Sequence, residues 1–227
     1  LTNEQLKLKA PTLFTSEPHS DVSEKYHFIP TIDVIEEIRF HNWYPVSVSV
    51  ANVRDEEKEG FQQHCVRFRH FEDLLNPKDN AVELLLFNSH DRSKAFSISA
   101  GIFRFVCANG LVISDNVFEA YKIKHLGERD NDVANAVANI TAIKPKLMEK
   151  IEKLESITLN QSEKETFAKY SIPLRFEEHL EINHNDLLIP HRFEDSKDDL
   201  YTVLNIIQEN LLRGNISGIN KDTKRRF

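Results

Sequence analysis

The residues whose types and spacing most directly suggest chemistry stand together in the segment Asn88-Ser89-His90-Asp91. A hydroxyl, an imidazole and a carboxylate are the groups found in nucleophilic and metal sites. Neighbours in one turn rarely face one another as a catalytic triad does, because catalytic partners normally come from separate segments. We therefore favour a polar turn and network formed by Asn88, His90 and Asp91. Metal binding at His90 and Asp91 stays open.

A second pattern is a pair of arginines on one face of a predicted strand. The segment 61–71 alternates between two faces, which carry Gln63, Cys65, Arg67 and Arg69 on one side and His64, Val66, Phe68 and His70 on the other. Two such cations beside aromatic rings suit a phosphate backbone and stacked bases. The alternative, which the residues favour, is the solvated outer face of an edge strand that pairs with the acidic loop 54–60.

Other chemically capable residues show no recognisable metal or nucleotide motif. Several histidines lack HExxH or paired Cys and His spacing, namely His64, His70, His125, His184 and His191. Four acids precede a predicted helix, whose positive N-terminal end they favour, namely Glu194, Asp195, Asp198 and Asp199. Magnesium binding there stays open. The chain has six glycines and no phosphate-cradling loop, so we assign no catalytic residue, metal or cofactor, and an enzyme is the less favoured class.

The stretch 97–127 organises the elements that must position these residues. Phe96, Ile98 and Ala100 alternate with serines, which predicts a strand that ends at Gly101. The apolar spacing that follows predicts a short buried helix over 102–109, which Asn109 and Gly110 end. Within it Arg104 is expected to reach the surface or to bind a specific partner. Two strands follow, and the second carries Lys122, Lys124 and His125.

Periodicity and capping signals predict the remaining elements. Thr2 and Gln5 form a capping box for a helix over 2–8, and Thr31 is predicted to cap a second helix. Strands are predicted at 46–51, 61–71 and 81–87. In the C-terminal half the same signals predict three helices. The first, at 132–154, is long and kinked near Pro145. The second, at 162–171, is capped by Ser162 and Glu165, and the third, at 196–213, is amphipathic.

These elements predict an α+β fold with an antiparallel sheet of about five strands and packed helices, followed by a helical C-terminal region. We expect a lead-in segment at 1–29 and the sheet core at 30–127. Residues 128–227 are expected to form a mostly helical region packed on the core and truncated at its C-terminus. Asn109 and Asn210 are further candidates for a site or a structural network.

Resemblance to a known family is carried by Arg104-Phe105-Val106-Cys107-Ala108-Asn109-Gly110-Leu111 and by the later Lys124-His125-Leu126-Gly127. Both runs resemble the phage- and plasmid-related proteins gathered as domain of unknown function 932. Further blocks resemble the prophage-encoded enterobacterial members, at 26–35, 87–91 and 192–211. Four separated blocks in order argue against chance. The resemblance implies a mobile-element setting and assigns no activity to any residue.

Composition limits the function classes. The 227 residues include 40% hydrophobic and 29% charged ones, with a formal net charge of −7, which argues against a uniformly basic nucleic-acid binder but permits a local basic face. No run of about 18 apolar residues and no leader occurs, so we expect a cytoplasmic protein without membrane contact. Cys65 and Cys107 are expected to be free thiols. A homo-oligomer stays open.

Two functional classes remain. The first is nucleic-acid binding in replication, recombination or single-strand annealing, since the predicted order of helix, three strands and helix is similar to the core of phage annealing proteins of the RecT and Redβ kind. Its partner would be single-stranded DNA or RNA, in a groove formed by Arg67, Arg69, Arg92, Lys94, Arg104, Lys122, Lys124 and His125. The second is an acidic protein-binding accessory factor that inhibits or modulates a host defence protein.

Overall fold

The computed structural model describes residues 1–22, 26–53, 55–78, 80–104, 110–112, 129–213 and 216–226. The chain divides into two compact units, Leu1–Pro145 and Lys146–Phe227. In the described part of the chain, no helix combines the length and the apolar character needed to cross a membrane.

The first unit is built on a five-stranded antiparallel sheet, in which each strand lies beside the next one in the chain. Its strands are β1 (Trp43–Val50), β2 (His64–His70), β3 (Asn80–Asn88), β4 (Ser97–Arg104) and β5 (Gly110–Val112). The helices that begin in this unit are α1 (Asn3–Lys9), α2 (Thr31–Phe40), α3 (Phe71–Leu75) and α4 (Arg129–Glu155). The predicted α+β class is therefore confirmed.

The strand register gives the sheet one apolar and one polar face. Arg67 lies opposite Ser47 and Leu85, and Arg69 lies opposite Glu83, so these side chains share a face. We call this side the polar face, formed by Ser47, Ser49, Cys65, Arg67, Arg69, Glu83, Leu85, Phe87, Ser97 and Ser99. The opposite, core-facing side is formed by Trp43, Val66, Phe68, Val82, Leu84, Leu86 and Ile98, all fully buried.

Helices α2 and α4 contribute to the core of this unit. Val34, Ile35 and Ile38 of α2 are buried and recur at the spacing of a helix face. Trp43 is fully buried, and its Nε1 donates a hydrogen bond of 3.0 Å to Thr141 Oγ1 of α4. The indole N–H therefore has a partner, as burial of a tryptophan requires.

The predicted helix over 102–109 is wrong in its described part. Strand β4 continues to Arg104, with Ile102 paired to Val82 on one side and to Leu111 on the other. Pairing on both sides makes this segment an internal strand of the sheet. In so short a run, consecutive apolar residues do not distinguish a helix from a strand. Residues 105–109 lie outside the described residues.

The capping signals are confirmed at one helix and wrong at another. Thr2 Oγ1 accepts from Gln5 N at 3.3 Å, and Thr2 N donates to Gln5 Oε1 at 2.9 Å, so the predicted box begins α1. Helix α2 has Pro30 at its N-cap position without a side-chain cap. Thr31 is instead its first residue, and the Thr31 hydroxyl bonds side chains from the sheet.

The second unit is mostly helical. After the end of α4 it contains α5 (Gln161–Ser171), β6 (Leu180–Ile182), α6 (Leu200–Arg213) and β7 (Gly218–Asn220). Strands β6 and β7 pair with each other. Its core joins apolar side chains of both helices and of the segment between them, chiefly Ala168, Leu187, Val203, Ile207 and Leu211.

Two helix starts in this unit differ from the prediction. The capping box of α5 is Asn160 with Glu163, two residues before the predicted one, because the same pattern occurs twice and asparagine caps as well as serine. Helix α6 begins at Leu200 instead of Ser196. Ser196 is the last residue of a separate 3₁₀ helix, Phe193–Ser196. The Asp199 carboxylate, directly before α6, accepts from Thr202 N at 2.8 Å.

Candidate functional site

The central feature of the polar face is an ion triad across β2 and β3. Arg67 Nε donates to Glu83 Oε2 at 2.5 Å, and Arg69 Nε donates to Glu83 Oε1 at 2.6 Å. The Glu83 side chain is 0% exposed, whereas those of Arg69 and Arg67 are 10% and 20% exposed. Each carboxylate oxygen therefore fixes one guanidinium group on the face.

The triad overturns one sequence-based interpretation. Strand β2 lies between β1 and β3, so Arg67 and Arg69 do not stand on the solvated face of an edge strand, and the carboxylate that binds them is Glu83, not the acidic loop. Glu83 was missed, although a single charge inside the apolar run 81–87 is a usable signal. A charge in a buried strand needs an opposite charge nearby.

Small and aromatic side chains surround the triad. Four serines lie on the polar face, namely Ser47, Ser49, Ser97 and Ser99. Phe87 is half-buried there, and Lys94 Nζ lies 5.2 Å from the centre of its ring, which is within cation–π range. Lys94 thus adds a further cation beside the Arg67 and Arg69 pair. Burial raises the pKa of the neighbouring Cys65 thiol to about 12, so that thiol stays protonated and is a poor nucleophile.

The structure brings together only part of the predicted basic groove. Arg67 and Arg69 lie side by side on β2, and Lys94 joins them through Phe87. Arg92 is exposed in the turn between β3 and β4, where its backbone φ is 65°. Arg104 is the last residue of β4. Four further predicted residues lie outside the described residues, namely Asn109, Lys122, Lys124 and His125.

The polar groups of 88–91 bond within their own turn and to Thr31. Ser89 Oγ donates to Lys94 O at 3.0 Å and accepts from Lys94 N at 2.9 Å. Asp91 Oδ1 accepts from Ser93 N at 2.9 Å, and His90 Nε2 lies 3.3 Å from Thr31 Oγ1. The Ser89 side chain also bonds the Asp91 carboxylate. The His90 ring faces Thr31 and does not stand between these two groups as in a catalytic triad, so this geometry is that of a stabilised turn.

A buried hydrogen-bonded cluster joins that turn to α2 and β2. Thr31 Oγ1 lies 2.8 Å from His64 Nε2 and accepts from Asn88 Nδ2 at 3.0 Å. We call Thr31, His64, Asn88 and His90 the Thr31 cluster. All four are at most 1% exposed, so a substrate would have no access to the Thr31 hydroxyl. No local sequence signal identifies Thr31 as the centre of this cluster.

Three of the four acids near the start of α6 are bonded to protein partners. Asp198 Oδ1 accepts from Lys164 Nζ at 2.7 Å, Asp199 caps α6, and Asp195 Oδ2 lies 3.3 Å from Arg192 Nη1. Within the described ranges, no group of three or more histidine, cysteine, aspartate or glutamate side chains is arranged to hold a metal ion.

Asn210 holds the chain segment that precedes α6. Its Nδ2 donates to Leu187 O at 3.1 Å and to Ile189 O at 3.0 Å, and its Oδ1 accepts from His191 Nε2 at 2.6 Å. The adjacent Glu209 accepts two bonds of 2.7 Å from Arg192. Both side chains are 2% exposed, so they form an internal network of the second unit.

Replacing Asn210 with alanine is expected to lower the free energy of unfolding of the second unit by about 2 kcal/mol, because the buried carbonyl group of Leu187 and the partly buried one of Ile189 lose their donor. Urea unfolding followed by far-UV circular dichroism measures this loss. Asn185, which is exposed, provides the control. Asn185→Ala should change stability by less than about 0.5 kcal/mol, and equal losses in both variants would contradict the role given to Asn210.

Comparison with known proteins places the chain in a family. The family model described as "Domain of unknown function (DUF932)" matches residues 18–226. The chain belongs to the DUF932 family. Two Escherichia coli K12 relatives, the UPF0380 proteins YfjQ and YafZ, are each 31% identical over 221 residues, which cover 97% of this chain and 80% of each relative. No solved structure gives a significant match.

Membership of DUF932 confirms the resemblance seen in the sequence and supplies no chemistry. The names of the two relatives state no substrate, partner or reaction. For this DUF932 protein the candidate site therefore rests on geometry alone. Its main features are the ion triad on the polar face and the neighbouring Phe87 and Lys94 side chains.

Proposed function

We propose that this protein binds single-stranded nucleic acid through the polar face of its five-stranded sheet. The observation that carries this proposal is the pair Arg67 and Arg69, aligned on one central strand by the buried carboxylate of Glu83. Arginine pairs bind phosphate oxygens, and the sequence-independent part of nucleic-acid affinity comes from such contacts.

The surroundings of the triad support a single strand over a duplex. Single-strand binding sheets combine cations that follow the backbone with aromatic rings on which bases stack. Phe87 provides a ring beside Lys94, and the four serines of this face are half-buried or, at Ser49, exposed. This local basic face also reconciles nucleic-acid binding with the acidic net charge of −7.

Anchoring by Glu83 supports binding in a further way. An arginine side chain carries about 2 kcal/mol of rotamer entropy, part of which is lost when it binds a ligand. Since Glu83 already restricts both guanidinium groups, less entropy remains to be lost on binding. The setting we propose for this activity is replication, recombination or single-strand annealing of a phage, plasmid or prophage, which the family resemblance implies.

The test is binding of the purified protein to labelled single- and double-stranded DNA at several salt concentrations. Arg92→Ala/Lys94→Ala is the informative variant, since neither side chain is bonded to the buried Glu83. If both cations contact phosphates, the slope of log K against log salt for single strands should decrease in magnitude by about 1.4, at about 0.7 per contact. Lys169→Ala/Lys197→Ala removes two exposed charges from the second unit and should leave the slope unchanged.

Two results would overturn the proposal. One is no binding of either DNA at low salt, and the other is an equal slope change in both double variants. Arg67→Ala/Arg69→Ala is unsuitable as a first test, because it leaves the Glu83 carboxylate buried without its two cations. Loss of folding would then be mistaken for loss of binding.

A second candidate function is favoured by the acidic turn between β1 and β2. Its four carboxylates, from Asp55, Glu56, Glu57 and Glu59, are exposed. Their charge complements a basic surface on a host protein. If DNA binding fails, we propose that this protein is an accessory factor that binds a host protein through these carboxylates. Affinity capture with the unaltered protein and with Glu56→Gln/Glu57→Gln tests this. A partner retained equally by both proteins would exclude the turn as its binding site.

A further inference from the structure

The Thr31 cluster joins three separate segments at buried side chains. Thr31 is the first residue of α2, His64 the first residue of β2, and Asn88 the last residue of β3. His90 follows two residues later, with its ring centre 5.2 Å from that of His64 and 4.8 Å from that of Phe28. The hydrogen bonds of this cluster therefore hold the start of α2 against the ends of two central strands.

The partners fix which atoms carry protons. His64 Nδ1 lies 3.1 Å from Gln62 O, and a carbonyl oxygen only accepts, so Nδ1 carries the proton of a neutral His64. His64 Nε2 is then an acceptor and receives the Thr31 hydroxyl proton at 2.8 Å. Because that hydroxyl has one proton, His90 Nε2, at 3.3 Å, must be the donor to Thr31 Oγ1.

We propose that the Thr31 cluster is an acid-sensitive lock, which holds α2 to the sheet while the His64 imidazole is neutral and releases it when His64 is protonated. In the neutral state every hydrogen bond points the same way: His90 donates to Thr31, Thr31 donates to His64, and His64 donates to Gln62 O. Every link has one donor and one acceptor.

Protonation of His64 removes the acceptor at its Nε2 from this chain of hydrogen bonds. A protonated His64 presents N–H groups on both ring nitrogens, so Thr31 Oγ1 faces donors from His64, His90 and Asn88 while its own proton has no acceptor. The added charge also lies where water is excluded. Burial accordingly lowers the pKa of His64 to about 4.

Few groups near the cluster offset the added charge. The Gln62 carbonyl and, to a smaller extent, Asp91 in the turn after β3 favour protonated His64, but each effect is smaller than that of burial. On the preceding segment, Tyr26 donates to Ser89 O at 2.9 Å, and His19 N donates to His90 O at 3.0 Å.

The first test uses the unaltered chain. Long-range ¹⁵N–¹H NMR spectra distinguish the two neutral tautomers and follow protonation of each ring. We expect the Nδ1–H form for His64 and the Nε2–H form for His90, and the His64 ring should stay neutral at pH 6. Either tautomer reversed, or His64 protonated at pH 6, would overturn the lock.

The second test follows stability against pH. A histidine pKa of 6.5 in the unfolded chain and of about 4 in the folded one makes the folding equilibrium fall as pH decreases below 6.5. From pH 7.5 to pH 4.5 the expected loss from His64 is about 70-fold. Urea unfolding followed by fluorescence of Trp43, the only tryptophan, measures it in the first unit.

His64→Gln cannot be protonated, and its amide oxygen accepts the Thr31 hydroxyl proton as Nε2 does. The folding equilibrium constant of the variant should therefore lack the decrease of about 70-fold that His64 causes in the unaltered protein between pH 7.5 and pH 4.5. His184→Gln, in the second unit, should behave as the unaltered protein. If His64→Gln keeps the full pH dependence, the lock is wrong. If the variant does not fold, the NMR titration decides alone.

Discussion

Replacing Glu83 with alanine is expected to lower the free energy of unfolding of the first unit by about 3–5 kcal/mol, because the change leaves two guanidinium groups without the carboxylate that binds both. Arg67 and Arg69 lie two residues apart on one face of β2, so their charges would repel each other in a poorly solvated place. Urea unfolding monitored by the fluorescence of Trp43 measures the loss.

Two further variants make this prediction specific. Glu72, whose side chain is 76% exposed, is the matched control, and Glu72→Ala should cost less than about 0.5 kcal/mol. The triple variant Arg67→Met/Glu83→Leu/Arg69→Met should regain most of the stability lost by Glu83→Ala, since an apolar replacement needs no counter-ion. A loss below about 1 kcal/mol for Glu83→Ala would show that the triad is not a unit.

Replacing Thr31 with valine is expected to lower the free energy of unfolding by about 2–4 kcal/mol, because valine keeps the shape and removes the hydroxyl that bonds three buried side chains. His64 Nε2, His90 Nε2 and Asn88 Nδ2 would all lose this partner. The same fluorescence-detected urea unfolding measures the effect at pH 7.5, where His64 is neutral.

Thr31→Ser is the comparison that separates the hydroxyl from the methyl group. Serine keeps the hydroxyl and removes one buried methyl, for an expected loss of about 1 kcal/mol. Equal losses in the serine and valine variants would mean that packing, and not hydrogen bonding, is what Thr31 contributes at the start of α2.

Local periodicity predicted most of the elements but not where each ends. The helix face of Val34, Ile35 and Ile38 and the capping box of Thr2 depend on residues at most four positions apart, and both were read from the sequence. The extension of β4 through Ile102 depends on pairing with β3 and β5. That information lies in the tertiary structure and outweighs a weak local pattern.

The candidate site shows the same limit. Alternation placed Arg67 and Arg69 on one face, as the register confirms, yet their partner Glu83 lies 16 and 14 residues away from them in the chain. The polar character of Asn88 and His90 was evident from the sequence. Their bonds to Thr31, 57 and 59 residues away, were not, because no spacing rule connects positions so distant.

The ion triad also constrains how these proteins diverge. Any single exchange at Arg67, Arg69 or Glu83 passes through an intermediate with a buried, uncompensated charge. Positions 67, 69 and 83 should therefore covary among DUF932 sequences, with all three ionic or all three apolar. Sequences with a glutamate at position 83 and uncharged residues at positions 67 and 69 should be rare, since that combination leaves a buried carboxylate without a counter-ion and destabilises the fold.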